Sequence, residues 1–175
     1  MIRDLASLAA VTGGALHGAN APFGRVSSDS RSLGRGDLFV ALRGEHYDAH
    51  DFVADVAARA ASGALVNRLV SVHIAQVVVP DVLAGLTAFA RQWRRDFPGA
   101  VVGITGSNGK TTVKELTGAI LAHRGCGIVT QGNLNNHIGV PLTLARLESA
   151  HRYAVIEMGT LFPYTTLFRS RKSVV

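Results

Sequence analysis

Residues 100–122, AVVGITGSNGKTTVKELTGAILA, constrain the fold of this chain more than any other stretch. AVVGIT is an unbroken apolar run without polar alternation. It reads as a strand buried on both faces, and such strands belong to parallel sheets covered by helices. The run passes directly into GSNG, where Gly106 and Gly109 supply the backbone freedom of a turn. KTTVKELTGAILAHRG then reads as a helix. Helical spacing gathers Val113, Leu116, Ile120 and Leu121 on one face, and Gly125 marks the end.

The segments that follow extend this unit. GIVT is a second strand, QGNLNNHIGVP a polar glycine-rich loop, PLTLARL a helix with Pro141 in its first turn, and YAVIEM a third strand. Strand, helix, strand, loop, helix, strand is the pattern of a doubly wound α/β domain with a parallel sheet. Three strands are only the start of such a domain, which places its remainder outside residues 100–159. After Gly159 the text TLFPYTTLFRSRKSVV has no helical period, no strand alternation and no acid. The domain pattern breaks there.

The first 80 residues read as a small α/β unit of their own. Residues 2–10 have helical spacing and end near TGG. GDLFVALRG holds a strand core between glycines. In AHDFVADVAARAASG, residues Phe52, Val53, Val56 and Ala60 keep a helical period, and Gly63 is expected to stop the helix. ALVN and IAQVVV are short β-rich runs. Asp81 is placed to cap DVLAGLTAFARQWRRDF, which ends at Pro98-Gly99. The expected organisation is a unit over 1–80, a connector helix over 81–99, and a partial second domain over 100–159.

Composition limits the function classes. The chain has 175 residues, is 47% apolar and carries one cysteine, Cys126. A core is affordable, a disulfide framework is excluded, and the apolar runs are too short to span a bilayer. A cytoplasmic monomer, with no membrane insertion, is the expectation. The net charge of +6 loses half its excess with residues 161–175, which hold Arg169, Arg171 and Lys172. Arg91, Arg94 and Arg95 share one helix and read as a solvated face, so nucleic acid is not implied.

The chemistry concentrates at GSNGKTT. Glycines let a phosphate approach backbone N–H groups, and the helix opening behind them favours an anion. Lys110 can reach the β- and γ-phosphates of a nucleotide, and the Thr111 hydroxyl can bind Mg²⁺. Before residue 160 the chain has 13 arginines and only two lysines, Lys110 and Lys114, so a lysine here goes against its habit. The spacing departs from the general phosphate loop, since Ile104 stands where its first glycine belongs. Glu157 ends the third strand, on the rim where ligands of parallel sheets bind, and is the candidate Mg²⁺ acid. Asn135, Asn136 and His137 open onto the same rim, either to meet a substrate or to satisfy their own turn. Two other readings stay open: an unrelated phosphate-loop NTPase or kinase, and a non-catalytic binding module in which the glycine turn is scaffold.

TGSNGKTTVKE, GNLNNHIGVPLTLARL and YAVIEMG, in this order, resemble the Mur ligases. The Asn-rich loop and VIEMG are most similar to the members that join D-alanyl-D-alanine to UDP-MurNAc-tripeptide. SSDSRSLGRGDLFVALRGEHYDAHDFVADVAARAASGALV resembles the family's uridine-diphosphate-sugar-binding domain. It carries D-S-R at Asp29, Ser30 and Arg31, G-D-x-F at Gly36 to Phe39, and D-x-H at Asp48 to His50. The resemblance implies an ATP-dependent amide ligase of peptidoglycan precursor synthesis that works through an acyl phosphate. It implies nucleotide contacts from Thr105, Gly106, Ser107, Asn108, Gly109, Lys110, Thr111 and Thr112, and metal contacts from Thr111 and Glu157. Asp29, Ser30 and Arg31 would hold the uridine-diphosphate end. Asn135, Asn136 and His137 would face the reacting end, with Lys110, Glu157 and His137 as the catalytic set. The resemblance ends at Thr160, which implies that residues 160–175 are a non-native tail. The family's remaining machinery lies beyond residue 159, so the 175-residue chain is expected to show little or no ligase turnover.

Overall fold

The computed structural model describes residues 3–44, 47–159 and 173–174. The chain divides into two compact units, Ile2–Phe89 and Ala90–Val175, so the division falls inside the long helix α3, Val82–Asp96.

The first unit is an α/β fold around a five-stranded sheet. Its strands are β1 (Ala15–His17), β2 (Val26–Ser27), β3 (Leu38–Val40), β4 (Gly63–Val66) and β5 (Gln76–Val78), in the order β1-β5-β4-β3-β2. Strands β2 to β5 run parallel, and β1 is antiparallel to β5. Helix α1, Leu5–Thr12, begins where the Asp4 carboxylate accepts from the Ser7 amide at 2.7 Å and ends at Gly13, whose φ is 66°. Phe39, Val53, Val56, Ala64 and Val66 pack into one fully buried cluster.

The helix expected up to Gly63 is shorter. A 3₁₀ turn, Ala49–Phe52, leads into α2, Val53–Ala58, and Ala60 then takes the left-handed conformation with φ 58°. Gly63 opens β4 rather than stopping a helix. A side chain there would meet Leu5 Cδ2 at 2.8 Å and the Ala75 carbonyl oxygen at 2.9 Å. The glycine serves close packing of strand on helix, a requirement that helical periodicity cannot reveal.

Asp81 caps α3, its Oδ1 accepting from the amides of Leu83 and Ala84. The expected solvated arginine face is only partly there. Arg91 and Arg95 are exposed, but Arg94 is 1% exposed. Arg94 falls on the same helical stripe as Ala90 and Phe97, both buried, and desolvation lowers the pKa of its guanidinium.

The second unit holds β6 (Ala100–Ile104), β7 (Gly127–Val129), β8 (Tyr153–Glu157) and β9 (Ser173–Val174), all parallel, in the order β7-β8-β6-β9. Of residues 160–175 only this last pair is described, so the reading of that segment as a foreign tail otherwise lies outside the described residues. Helix α4, Lys110–Ala122, follows β6, and the short helix α5, Gly139–Leu144, precedes β8. The apolar stripe of α4 does not face the sheet. Val113, Leu116 and Ile120 are 50–68% exposed, while Lys114 and Gly118 are buried. A Cβ on Gly118 would come within 2.8 Å of Val129 Cγ2, so the helix lies against β7 by its smallest residue. Among the described residues no helix is long and apolar enough to cross a membrane.

Candidate nucleotide and metal site

The site is assembled by the pairing of β6 with β8. In that register Ile104 lies opposite Glu157, and the Met158 amide donates to the Ile104 carbonyl at 2.8 Å. The end of β8 therefore stands beside the start of the glycine loop. The loop turns through Gly106, with φ 140°, and Gly109, with φ 74°, both in conformations that favour glycine. Gly109 is the residue from which α4 begins.

Lys110 and Thr111 sit in the first turn of α4. The Lys110 ammonium folds back over the loop and donates to the Gly106 carbonyl at 2.7 Å. The Thr111 hydroxyl donates to Glu157 Oε2 at 3.1 Å, and Asn135 Nδ2 donates to Glu157 Oε1 at 2.9 Å. Glu157 is 2% exposed, so each carboxylate oxygen is held by a named donor in a place water scarcely reaches. Asn135 is fixed in turn, its carbonyl accepting from the Gly159 amide at 2.7 Å.

A carboxylate and a threonine hydroxyl are hard oxygen donors of the kind Mg²⁺ prefers. Among the described residues no group of three His, Cys, Asp or Glu could hold a metal alone. The pairing of the Thr111 hydroxyl with the Glu157 carboxylate suits a cation held by one or two protein oxygens together with phosphate oxygens, the usual arrangement for Mg²⁺ with a nucleotide. The donor set therefore fits the ion.

The other residues singled out from the sequence divide by place. Thr105, Ser107, Asn108, Gly109 and Thr112 are exposed along the loop and the start of α4. Asn136 is engaged by its own turn: its Oδ1 accepts from the amides of Ile138 and Gly139 at 3.1 and 2.8 Å. His137 is half-buried just before α5. Asp29, Ser30 and Arg31 belong to the first unit. There the Arg31 guanidinium lies on the Asp29 carboxylate through two bonds of 2.9 Å, which lower the Asp29 pKa. In the same unit His50 is buried, with Nδ1 2.6 Å from Asp48 Oδ1 and Nε2 accepting from the Asn67 amide.

Two residues at the phosphate-loop site escaped the sequence reading. Lys114, 1% exposed, donates to the Thr130 carbonyl at 2.9 Å, touches Glu115 Oε1 at 2.8 Å and stands 3.9 Å from Glu157 Oε2. Thr130, 2% exposed, accepts the Glu157 amide on its Oγ1 at 2.9 Å. The signal for Lys114 was present, because it shares with Lys110 the distinction of being a lysine in an arginine-rich chain. Thr130 gave no signal, since a threonine ending a strand is ordinary.

Known proteins resemble this chain in sequence and fold. Residues 104–161 match the Mur ligase middle domain. The chain is 45% identical over 155 residues to the UDP-N-acetylmuramoyl-tripeptide–D-alanyl-D-alanine ligase of Escherichia coli, covering 89% of this chain and 34% of that protein. The solved structure of the Acinetobacter baumannii diaminopimelate–D-alanyl-D-alanyl ligase superposes with a TM-score of 0.84 at 38% identity, over 93% of this chain and 37% of that one. MurF ligase from Thermotoga maritima, in complex with ADP, superposes at 0.68 with 31% identity, over 81% of this chain and 33% of its own. The chain thus spans about a third of the length of the curated relatives it matches. The loop, the strand-end acid and these likenesses together make the chain similar to the Mur ligases over the third of their length that it spans, with residues 104–161 matching their middle domain.

Proposed function

We propose that the chain carries the nucleotide-binding start and the uridine-substrate unit of an ATP-dependent ligase that joins D-alanyl-D-alanine to UDP-MurNAc-tripeptide. The observation that carries this is the 3.1 Å bond between the Thr111 hydroxyl and the buried Glu157 carboxylate, one residue from Lys110 at the mouth of the glycine loop. The relatives' names supply the substrates, and the ADP complex of the Thermotoga maritima ligase supports the nucleotide.

A carboxylate is a poor electrophile, and transfer of the γ-phosphoryl group gives it a leaving group for attack by an amine. The loop and the start of α4 cradle phosphates. Lys110 exchanges its bond to the Gly106 carbonyl for phosphate oxygens and offsets their charge, where catalysis is mostly positioning and electrostatics. Thr111 and Glu157 hold Mg²⁺, which neutralises charge on the transferring group. Asn135 orients the Glu157 carboxylate, Asn136 and His137 stand toward the reacting end, and Asp29, Ser30 and Arg31 take the uridine-diphosphate end. The setting is the cytoplasm and the acting form a monomer. With about a third of the relatives' length, this chain binds ligands without completing the ligation.

Calorimetric titration of ADP into the chain, with Mg²⁺ and with EDTA, tests the reading. We expect saturable binding that EDTA weakens, and a loss of at least tenfold in Lys110→Ala. The phosphate-loop lysine makes charge-assisted bonds of about 1.5–3 kcal/mol. Equal binding by the wild type and Lys110→Ala would refute the nucleotide site. Turnover of ATP with both substrates present would refute the inactivity of the chain.

A further inference from the structure

Lys114 is a buried cation for which the mechanism above has no use. Burying an ammonium costs several kcal/mol unless its partners compensate. Helix α4 nevertheless places only two residues fully against the sheet, Gly118 and this lysine. Its three neighbours are the Thr130 carbonyl at 2.9 Å, Glu115 Oε1 at 2.8 Å and Glu157 Oε2 at 3.9 Å. Thr130 holds the Glu157 amide through Oγ1 and donates its own amide to the Val155 carbonyl at 2.9 Å. Lys114 therefore joins three elements at one point: α4 one turn beyond Lys110 and Thr111, the end of β7, and the end of β8.

We propose that Lys114 is a positioning residue of the cation site. It fixes the first turn of α4 against the end of β8, so that the Thr111 hydroxyl and the Glu157 carboxylate stay in register for a divalent cation. Its charge also keeps a compensating cation beside a carboxylate that is almost wholly removed from water. A leucine or methionine could anchor the helix as firmly, but neither could hold the Thr130 carbonyl or face Glu157. The inference rests on the nucleotide reading given above. It adds a residue that touches neither nucleotide nor metal yet governs how well the metal is held.

The test is the ratio of ADP affinity in Mg²⁺ to that in EDTA, measured by calorimetry on the wild type, Lys114→Met and Lys114→Arg. Residues behind metal ligands typically govern about 10–100-fold in metal affinity. The ratio is expected to fall about tenfold in Lys114→Met and to recover largely in Lys114→Arg. Affinity in EDTA should change less than twofold. A role in folding alone would move the melting curve and leave the ratio where it was, and that result overturns the proposal. A ratio that rises overturns it as well, because the ammonium would then only repel the cation. If Lys114→Met does not fold, the wild type still decides. The chain has three lysines, Lys110, Lys114 and Lys172, so ¹⁵N-lysine labelling gives three ammonium signals. The Lys114 signal is expected to shift when Mg²⁺ is added to the ADP-saturated chain, and an unmoved signal refutes the coupling. Absence of ADP binding by the wild type sinks the nucleotide reading itself, an outcome distinct from equal ratios in the wild type and Lys114→Met.

Discussion

Gly139→Ala offers a measure of how tightly the Asn-rich loop is locked to the site. Gly139 opens α5, and a Cβ built on it would stand 2.5 Å from both Cα and C of Leu134 and 2.7 Å from the Leu134 carbonyl oxygen. These are backbone atoms, so no rotamer change relieves the contact, and the loop itself must shift. Overpacking of this kind costs about 1–3 kcal/mol. Alanine in a helix returns up to about 1 kcal/mol relative to glycine. The middle of the first range less this return leaves a net loss of about 1 kcal/mol. The displaced residue adjoins Asn135, whose Nδ2 holds Glu157 at 2.9 Å, so the damage reaches the carboxylate. The single tryptophan, Trp93, is buried in the same unit and donates its indole N–H to the Leu147 carbonyl at 2.8 Å. Its fluorescence in a urea titration therefore reports the loss of this packing. With a urea slope of about 2 kcal/mol per molar, the midpoint should fall by about 0.5 M. A midpoint equal to or above the wild type would show that the loop yields freely, and the argument that it pins Asn135 would fail.

Other consequences follow from the first unit. Ala60 holds a left-handed φ of 58°, which costs a non-glycine residue about 1–2 kcal/mol, while glycine adds about 0.4–1 kcal/mol of unfolded-state freedom. Ala60→Gly should therefore stabilise the chain by about 0.5–1 kcal/mol in a circular-dichroism urea melt, and a loss of stability would contradict the strain. Asp48 accepts from the His50 amide and lies against the His50 ring and Arg68, bonds that lower its pKa from 3.8 to about 2. A carboxyl group with a depressed folded pKa stabilises the fold fully above its unfolded value and loses that contribution as pH falls through the folded one. The stability gap between wild type and Asp48→Asn should thus be constant above pH 5 and close between about pH 4 and pH 2. A gap that persists to pH 2 would rule out ionised Asp48 as its source.

The sequence disclosed the second unit in outline because its strands are continuous apolar runs and its turns carry glycine or proline. Strand order was not legible. Nothing in YAVIEM says that it lies between the other two strands, and it is this interposition that sets Glu157 opposite Ile104. Helix α4 shows the limit of periodicity most clearly. The spacing of Val113, Leu116 and Ile120 marks an apolar face, but no spacing says which element covers it. In the structure the sheet takes the opposite choice, Gly118 and Lys114. Asn136 is a different case. The same residue type serves a substrate or a turn equally well, and only the 2.8 Å bond to the Gly139 amide shows its oxygen occupied by the turn.

The packing of α4 against a lysine rather than an aliphatic residue bears on what the site is for. A buried polar network that is only partly satisfied is worse for stability than an apolar core of the same volume. A helix selected only to stay on its sheet would present Val113, Leu116 and Ile120 inward. Here Lys114, Thr130, Thr111, Asn135 and Glu157 are linked by bonds of 2.9–3.1 Å around a carboxylate that is 2% exposed. The arrangement forgoes apolar burial and gains a fixed negative charge within reach of the phosphate loop. The Glu157 oxygens already have hydroxyl and amide donors from the protein, so little reorganisation is needed when a cation and phosphates arrive. Preorganised charge of this kind strengthens electrostatic binding where water is excluded. A scaffold role for the glycine turn would explain Gly106 and Gly109, but it would leave the buried lysine and the buried carboxylate beside it without a reason.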